Sequence, residues 1–143
     1  MPDNWKFICR KQKRKYSEDV TWINTDRMPY CNSAMISLYA SGESVLQPGY
    51  SYRPQRMVYW ALEYICEGDF AIIRDENRFR LTAGDVLIMH PGFRYAKENP
   101  GSSRVRKKEI MLNNSPLISI LCNRLDLNGR DILRCSDPAA VEA

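Results

Sequence analysis

Short apolar runs separated by turn residues set the pattern from about Ser33 onward. The runs are Ala34 to Ala40, Ser44 to Gln47, Met57 to Cys66, Phe70 to Arg74, Arg78 to Leu81, Val86 to Met89 and Val105 to Leu112. Between them stand Ser41-Gly42, Pro48-Gly49, Glu67-Gly68, Asp75-Glu76-Asn77, Ala83-Gly84-Asp85, Pro91-Gly92 and Pro100-Gly101. Many short strands with turns at this spacing predict an antiparallel sandwich or barrel. Phe70 to Leu81 reads as the best local hairpin, with Asp75, Glu76 and Asn77 at its reversal. Before this region, residues 1 to 30 show no clean periodicity and hold the densest basic run, Arg10, Lys11, Lys13, Arg14 and Lys15. That run reads as a solvated arm, with a phosphate-contacting arm as the functional alternative. Trp5, Phe7 and Trp22 suggest that part of it packs onto the body.

The last third changes period. Ser115 reads as an N-cap and Pro116 as a first helical residue. Leu117, Ile118, Leu121 and Leu125 then recur at helical spacing, with Asn128-Gly129 as the stop, so a three-turn amphipathic helix is expected to lie against the strands. A second start signal, Asp137-Pro138, precedes Ala139 to Ala143. The sequence thus reads as breaking off in a further helix, as a domain cut from a longer protein would. The expected divisions are an arm over residues 1–32, a strand domain over 33–114 and a helical segment over 115–143.

At 143 residues the chain is most simply one domain, long enough to bury roughly 70% of its unfolded surface. Its 21 basic and 17 acidic residues leave a net +4, too little to argue for nucleic acid. The five cysteines, Cys9, Cys31, Cys66, Cys122 and Cys135, contain no CxxC pair, which speaks against a zinc site and a disulfide framework. Reduced thiols in a cytoplasmic protein are the expectation. No signal peptide and no apolar membrane span are legible.

Candidate chemistry concentrates in Gly84 to Asn99, GDVLIMHPGFRYAKEN. Gly84 supplies the positive φ of a tight turn, and Pro91-Gly92 suits a type II turn. The stretch resembles the second motif of the cupin superfamily, whose Gly, Pro, Gly, His and Asn positions fall here on Gly84, His90, Gly92, Tyr95 and Asn99. Two departures matter: His90 stands where cupins have Pro, and Tyr95 where they have the metal-binding His. The remaining ligand positions of a metal cupin fall near Gln55, Met57 and Ala61, none of which can replace histidine or glutamate. With one His in the chain, no metal site and no cofactor are expected. His90 reads as a loop-edge hydrogen bonder rather than a catalyst, because nothing recognisable orients it.

From about Gly49 to Ala143 the chain also resembles the N-terminal cupin domain of AraC-family bacterial transcription regulators. The residues that carry this are Tyr52-Arg53-Pro54, YWALEYICEG from Tyr59, Arg78-Phe79-Arg80-Leu81, AGDVLIMHPG from Ala83, and LDLNGRDIL and SDP leading into a helix. The resemblance implies a mainly β, cupin-type antiparallel barrel or jelly roll followed by C-terminal helices. It implies a small-molecule effector, carbohydrates being one class, in the lumen, and a homodimer formed through this domain. DNA would be bound only through a helix-turn-helix domain absent from this sequence.

Arg53 stands where the arabinose-responsive members have a sugar-contacting Arg, and a surface pairing with Glu43 is its bland alternative. Tyr95, in the place of the metal His, is expected to point inward for hydrogen bonding or simple filling. The motif count puts Gln55, Met57, Tyr59, Ala61, Glu63 and Ile65 on the lumen face, so Glu63 would read a ligand or pair with Arg. The opposite face, Val58, Trp60, Leu62, Tyr64 and Cys66, is more apolar; either a bulge reverses the parity, or a helix or partner covers it. The ligand set expected is therefore Arg53, Met57, Tyr59, Glu63 and Tyr95. Arg104, Arg106, Lys107 and Lys108 read either as an anion-attracting group or as protective charges on a strand edge. Two other functions stay open: a small cupin isomerase or lyase, drawing on Glu63 with Tyr95 or His90, and a filled cupin serving only to dimerise.

Overall fold

The computed structural model describes residues 7–13, 15–25 and 36–134. Trp5, Arg14, the cysteines at 31 and 135 and the expected helix after Asp137 lie outside them, as do the side chains of Phe7, Cys9, Arg10, Lys11 and Trp22. Eleven strands and one helix are described. The strands are β1 (Phe7–Lys13), β2 (Ser17–Thr25), β3 (Leu38–Leu46), β4 (Ser51–Arg56), β5 (Trp60–Glu67), β6 (Asp69–Arg74), β7 (Asn77–Thr82), β8 (Asp85–Met89), β9 (Arg94–Glu98), β10 (Val105–Leu112) and β11 (Ile132–Arg134); the helix α1 (Pro116–Arg124) falls between the last two.

Every pairing is antiparallel. One sheet has the order β1-β2-β3-β10-β5-β8-β11 and the other β4-β9-β6-β7. Their inner faces enclose a core drawn from both: Leu46, Ala61, Ile65, Leu87, Met89 and Val105 from the larger sheet, and Phe70, Ile72, Leu81 and Tyr95 from the smaller. The architecture is mainly β, as expected, but two facing sheets take the place of a closed barrel.

The hairpin β6–β7 turns at Asp75 and Glu76, both at positive φ (47° and 69°), the backbone that favours Asp, Asn and Gly. Gly84 and Gly92 take the positive φ that their turns require (92° and 91°). Two expectations are corrected. Ser41-Gly42 is no turn, because it lies inside β3, paired with β2 and β10. Much of the expected N-terminal arm is sheet: β1 and β2 form a hairpin that extends the larger sheet beyond β3.

Ser115 caps α1 through its Oγ, which accepts the Leu117 amide at 3.2 Å, and Pro116 opens the helix. The helix ends at Arg124, short of the expected Asn128-Gly129 stop, and it is the single helix among the described residues. Its buried stripe is Ile118 and Cys122, packed on Trp60 and Ile88. Of the expected stripe Ile118 is buried, whereas Leu117, Leu121 and Leu125 are exposed, with Ile120 beside them. Both stripes satisfy a 3.6-residue period, and contact with Trp60 decides which is buried.

Candidate functional site: a charged layer inside the sheets

Strand parity around Trp60 follows from this packing. Trp60 turns to the outer face beneath α1, while Ala61, Glu63 and Ile65 turn inward, as expected. Glu63 is fully buried, and the directly opposite residue on β10 is Glu109, also buried. Two carboxylates opposed at this depth repel unless cations stand between them. Lys107 supplies one, its Nζ 2.9 Å from Glu63 Oε1 and 2.7 Å from Glu109 Oε2. Lys97 supplies the other, reaching from β9 of the opposing sheet to donate to Glu63 Oε1. The cluster therefore ties the two sheets together through side chains. Buried Ser44 on β3 stands opposite Lys107 and completes the layer.

The electrostatics follow from burial and proximity. Burial alone would raise the Glu63 carboxyl, but Lys107 and then Lys97 outweigh it and hold the group at about 2. Burial would likewise lower Lys107, yet Glu109 and Glu63 keep it above the usual lysine range. Glu109 moves upward, through burial first and the nearby charge of Glu63 second. Burial also pushes the Tyr50 and Tyr59 hydroxyls to about 12, so both remain protonated donors at neutral pH. Glu63 Oε2 is buried and carries no hydrogen bond. A carboxylate oxygen without a donor at full burial is costly, and it marks where a ligand hydroxyl or amine could bond.

Of the expected ligand residues, the structure brings Glu63 to this cluster. Tyr59, half-buried, stacks on Tyr39 with ring centroids 5.1 Å apart, and Glu109 and Glu63 are among the charges acting on its hydroxyl. Met57 packs half-buried against the core and exchanges backbone hydrogen bonds with Phe93 and Gly92. Tyr95 points its ring inward, but its hydroxyl is already committed, accepting from the His90 amide at 3.1 Å and donating to Asp131 Oδ1 at 3.2 Å. Arg53 stays exposed on β4, an edge strand exposed along its whole length, and Glu43 pairs with Arg106 instead. Gln55, also expected on the lumen face, is exposed on β4 as well.

Sequence reasoning missed Lys97 and Glu109, and it took Lys107 as one of a run of charges on a strand edge or in an anion-attracting group rather than as a buried partner of Glu63. The available signal was period two: Val105, Lys107, Glu109 and Met111 share one face, and Lys97 follows Tyr95 by two. Among the described residues, no three His, Cys, Asp or Glu side chains converge as a metal site would require. No described helix is long and apolar enough to cross a membrane.

Two facing antiparallel sheets of this kind recur in solved structures of cupin fold. YhaK from Escherichia coli superposes with a TM-score of 0.53 at 21% identity, covering 71% of this chain and 44% of its own. A cupin 2 conserved barrel domain protein from Salinispora arenicola gives 0.51 at 17% identity, covering 85% of this chain and 90% of its own. A predicted oxalate decarboxylase from Thermotoga maritima gives 0.53 at 14%, covering 79% and 96%. At these identities the likeness shows a cupin fold, and the chain spans less than half the length of YhaK. No family model and no curated protein matches the sequence. A fold shared by a predicted decarboxylase leaves function to be argued from the site.

Proposed function

We propose that this chain is the effector-sensing and dimerisation domain of an AraC-type transcription regulator, working without metal in the cytoplasm. The observation that carries the sensing role is Glu63 Oε2, an acceptor without a partner in a fully buried charged layer. A small polar molecule can donate to that oxygen while accepting from Lys97 or Lys107 and from the protonated tyrosines. Two carboxylates and two ammonium groups balance in formal charge, which suits a neutral hydroxylated ligand such as a carbohydrate.

The enzyme reading is weaker on the same geometry. A general base works best with a pKa near the operating pH, whereas two lysines hold Glu63 far below it. The Tyr95 hydroxyl is already bonded to Asp131. The exposed stripe of Leu117, Ile120, Leu121 and Leu125 is the surface we assign to the second copy of the homodimer. DNA contact would belong to a helix-turn-helix domain outside this sequence.

A thermal-shift screen against sugars, sugar acids, amino acids and divalent metals tests the sensing role, run on the wild type, Glu63→Gln and Arg53→Ala. The expected result is a concentration-dependent rise in Tm with at least one metabolite, lost in Glu63→Gln and kept in Arg53→Ala. Stabilisation by divalent metals alone would overturn the sensor and favour an enzyme. No stabilisation by any compound would leave a scaffold.

A further inference from the structure

The segment that follows α1 meets the strands through the packing of Leu127, Ile132 and Leu133, and its polar contacts gather at Asp131. The backbone carbonyl of Asp131 accepts the Ile88 amide of the larger sheet at 2.7 Å. Its carboxylate turns to the smaller sheet, where Oδ1 accepts from Arg74 Nη1 at 2.5 Å and from the Tyr95 hydroxyl at 3.2 Å. One residue earlier, the Arg130 carbonyl accepts from His90 Nε2 at 3.0 Å; a carbonyl can only accept, so Nε2 carries the proton. Beyond Asp131 the chain continues as β11, the end strand of its sheet, three residues long and paired only with β8. So short an edge strand has little backbone bonding of its own, and besides the packing of Ile132 and Leu133 the side-chain contacts at Asp131 hold it in place.

The same contacts lead back to the charged layer. Tyr95 and Lys97 alternate on β9 and both point inward. Arg74 is the cross-strand partner of Tyr95, so two neighbouring side chains of the smaller sheet share one carboxylate oxygen. Releasing Asp131 would take from the Tyr95 hydroxyl its acceptor and leave Arg74 only the exposed Asp75 carboxylate, 3.8 Å from an Nε that has no hydrogen bond. That cost favours two arrangements, fastened or released, over a continuum between them.

We infer that Asp131 is a clasp through which the state of the Glu63–Lys97 pair is passed to the segment leaving the domain. Drawing Lys97 away from Glu63 shifts β9, withdraws Tyr95 and Arg74 from Asp131, and frees Ile132–Arg134 from β8. The inference rests on the lumen reading above for what does the drawing away, but the mechanical link needs no ligand to be tested.

Hydrogen exchange on the full chain tests it, comparing wild type with Tyr95→Phe, Asp131→Asn and Lys97→Gln. Tyr95→Phe and Asp131→Asn should speed exchange across residues 130–134 by about tenfold, the scale of one lost hydrogen bond, while the β6–β7 hairpin is unchanged. Lys97→Gln should produce the same local release from a distance. If Lys97→Gln fails to fold, Glu63→Gln carries the same test. Unchanged exchange over 130–134 in the Tyr95 and Asp131 variants overturns the clasp. Release in those two but not in the Lys97 or Glu63 variant overturns the coupling, and uniform acceleration over all strands overturns both. A failed metabolite screen with a positive exchange result would sink the sensor and leave the clasp standing.

Discussion

Along four of its strands the interior changes character within two residues. β5 passes from Glu63 to Ile65, β10 from Lys107 to Val105, β3 from Ser44 to Leu46, and β6 from Arg74, on its Asp131 carboxylate, to Ile72. On one side Leu46, Ile65, Phe70, Ile72, Leu81, Leu87 and Val105 close a dry core. On the other, four charged side chains are buried at comparable depth. The apolar layer stabilises the fold through the area it removes from water, at roughly 25 cal/mol per Å². The charged layer carries a desolvation cost that its ion pairs have to offset, and an apolar filling of the same volume would avoid that cost altogether. A domain that needed only stability would extend the first layer into the second, and this contrast is why the charged layer is read as the functional one.

The largest test of the contrast removes one partner from each layer. Glu63→Ala, which leaves Lys97 and Lys107 without their shared carboxylate, should cost about 3–5 kcal/mol in urea unfolding. Phe70→Ala should cost a similar amount through its cavity, about 3–5 kcal/mol, so single deletions do not distinguish the layers. Replacing Glu63, Lys97, Lys107 and Glu109 together with apolar residues of similar volume does distinguish them. That variant should be as stable as wild type or up to about 4 kcal/mol more so, with any metabolite response gone. A large loss of stability in it would assign the charged layer a structural role.

Acid titration sharpens the comparison next. The folded pKa of Glu63, about 2, lies below its ordinary 4.5, so its contribution is fully present above pH 4.5 and is lost as pH falls toward 2. Glu109, shifted upward, works in the opposite sense: its contribution is present at low pH and is lost as pH rises through its folded value. Unfolding followed from pH 5 to 2 should therefore show a loss of up to about 1.4 kcal/mol per pH unit from Glu63, flattened in Glu63→Gln. Smaller again, Tyr95→Phe should cost about 2 kcal/mol, for the two hydrogen bonds of its hydroxyl. Smallest is Arg53→Ala on exposed β4, expected within about 0.5 kcal/mol of wild type by the same measurement.

The sequence made some of this legible, for reasons visible in particular residues. Ser115-Pro116 announced the start of α1 because a cap needs a side-chain acceptor and Pro lacks only an N–H that the first turn leaves unbonded. Asp75-Glu76-Asn77 announced the β6–β7 turn, and Val105 to Leu112 matched β10 residue for residue. The cupin motif count gave Glu63 its inward direction, although the opposite face of the strand is the more apolar and left the parity open. Other elements left weaker marks. β11 has three residues, too few to show any period, and β4 carries Pro54, which an edge strand tolerates but which argues against a strand when read alone. The hairpin β1–β2 is held to β3 by backbone pairing, which asks for no apolar alternation. Lys107 was hidden in a run of like residues, Arg104 to Lys108, where composition suggests a solvated edge. Only parity with Val105, and the unmet need of Glu63 for a cation, point inward. Asp131, on a loop after the helix, had no local signal at all, because its role depends on two residues that the fold brings from the opposite sheet.

The central claim is that the charged layer is where a ligand sits, and the most direct measurement follows backbone and lysine Nζ resonances while the best-stabilising metabolite of the screen is titrated in. The account predicts that the largest shifts fall on Glu63, Lys97, Lys107, Glu109 and Tyr59, with a weaker echo at Asp131. Shifts confined to Arg53 and the rest of β4, or to the outer face of α1, would contradict it.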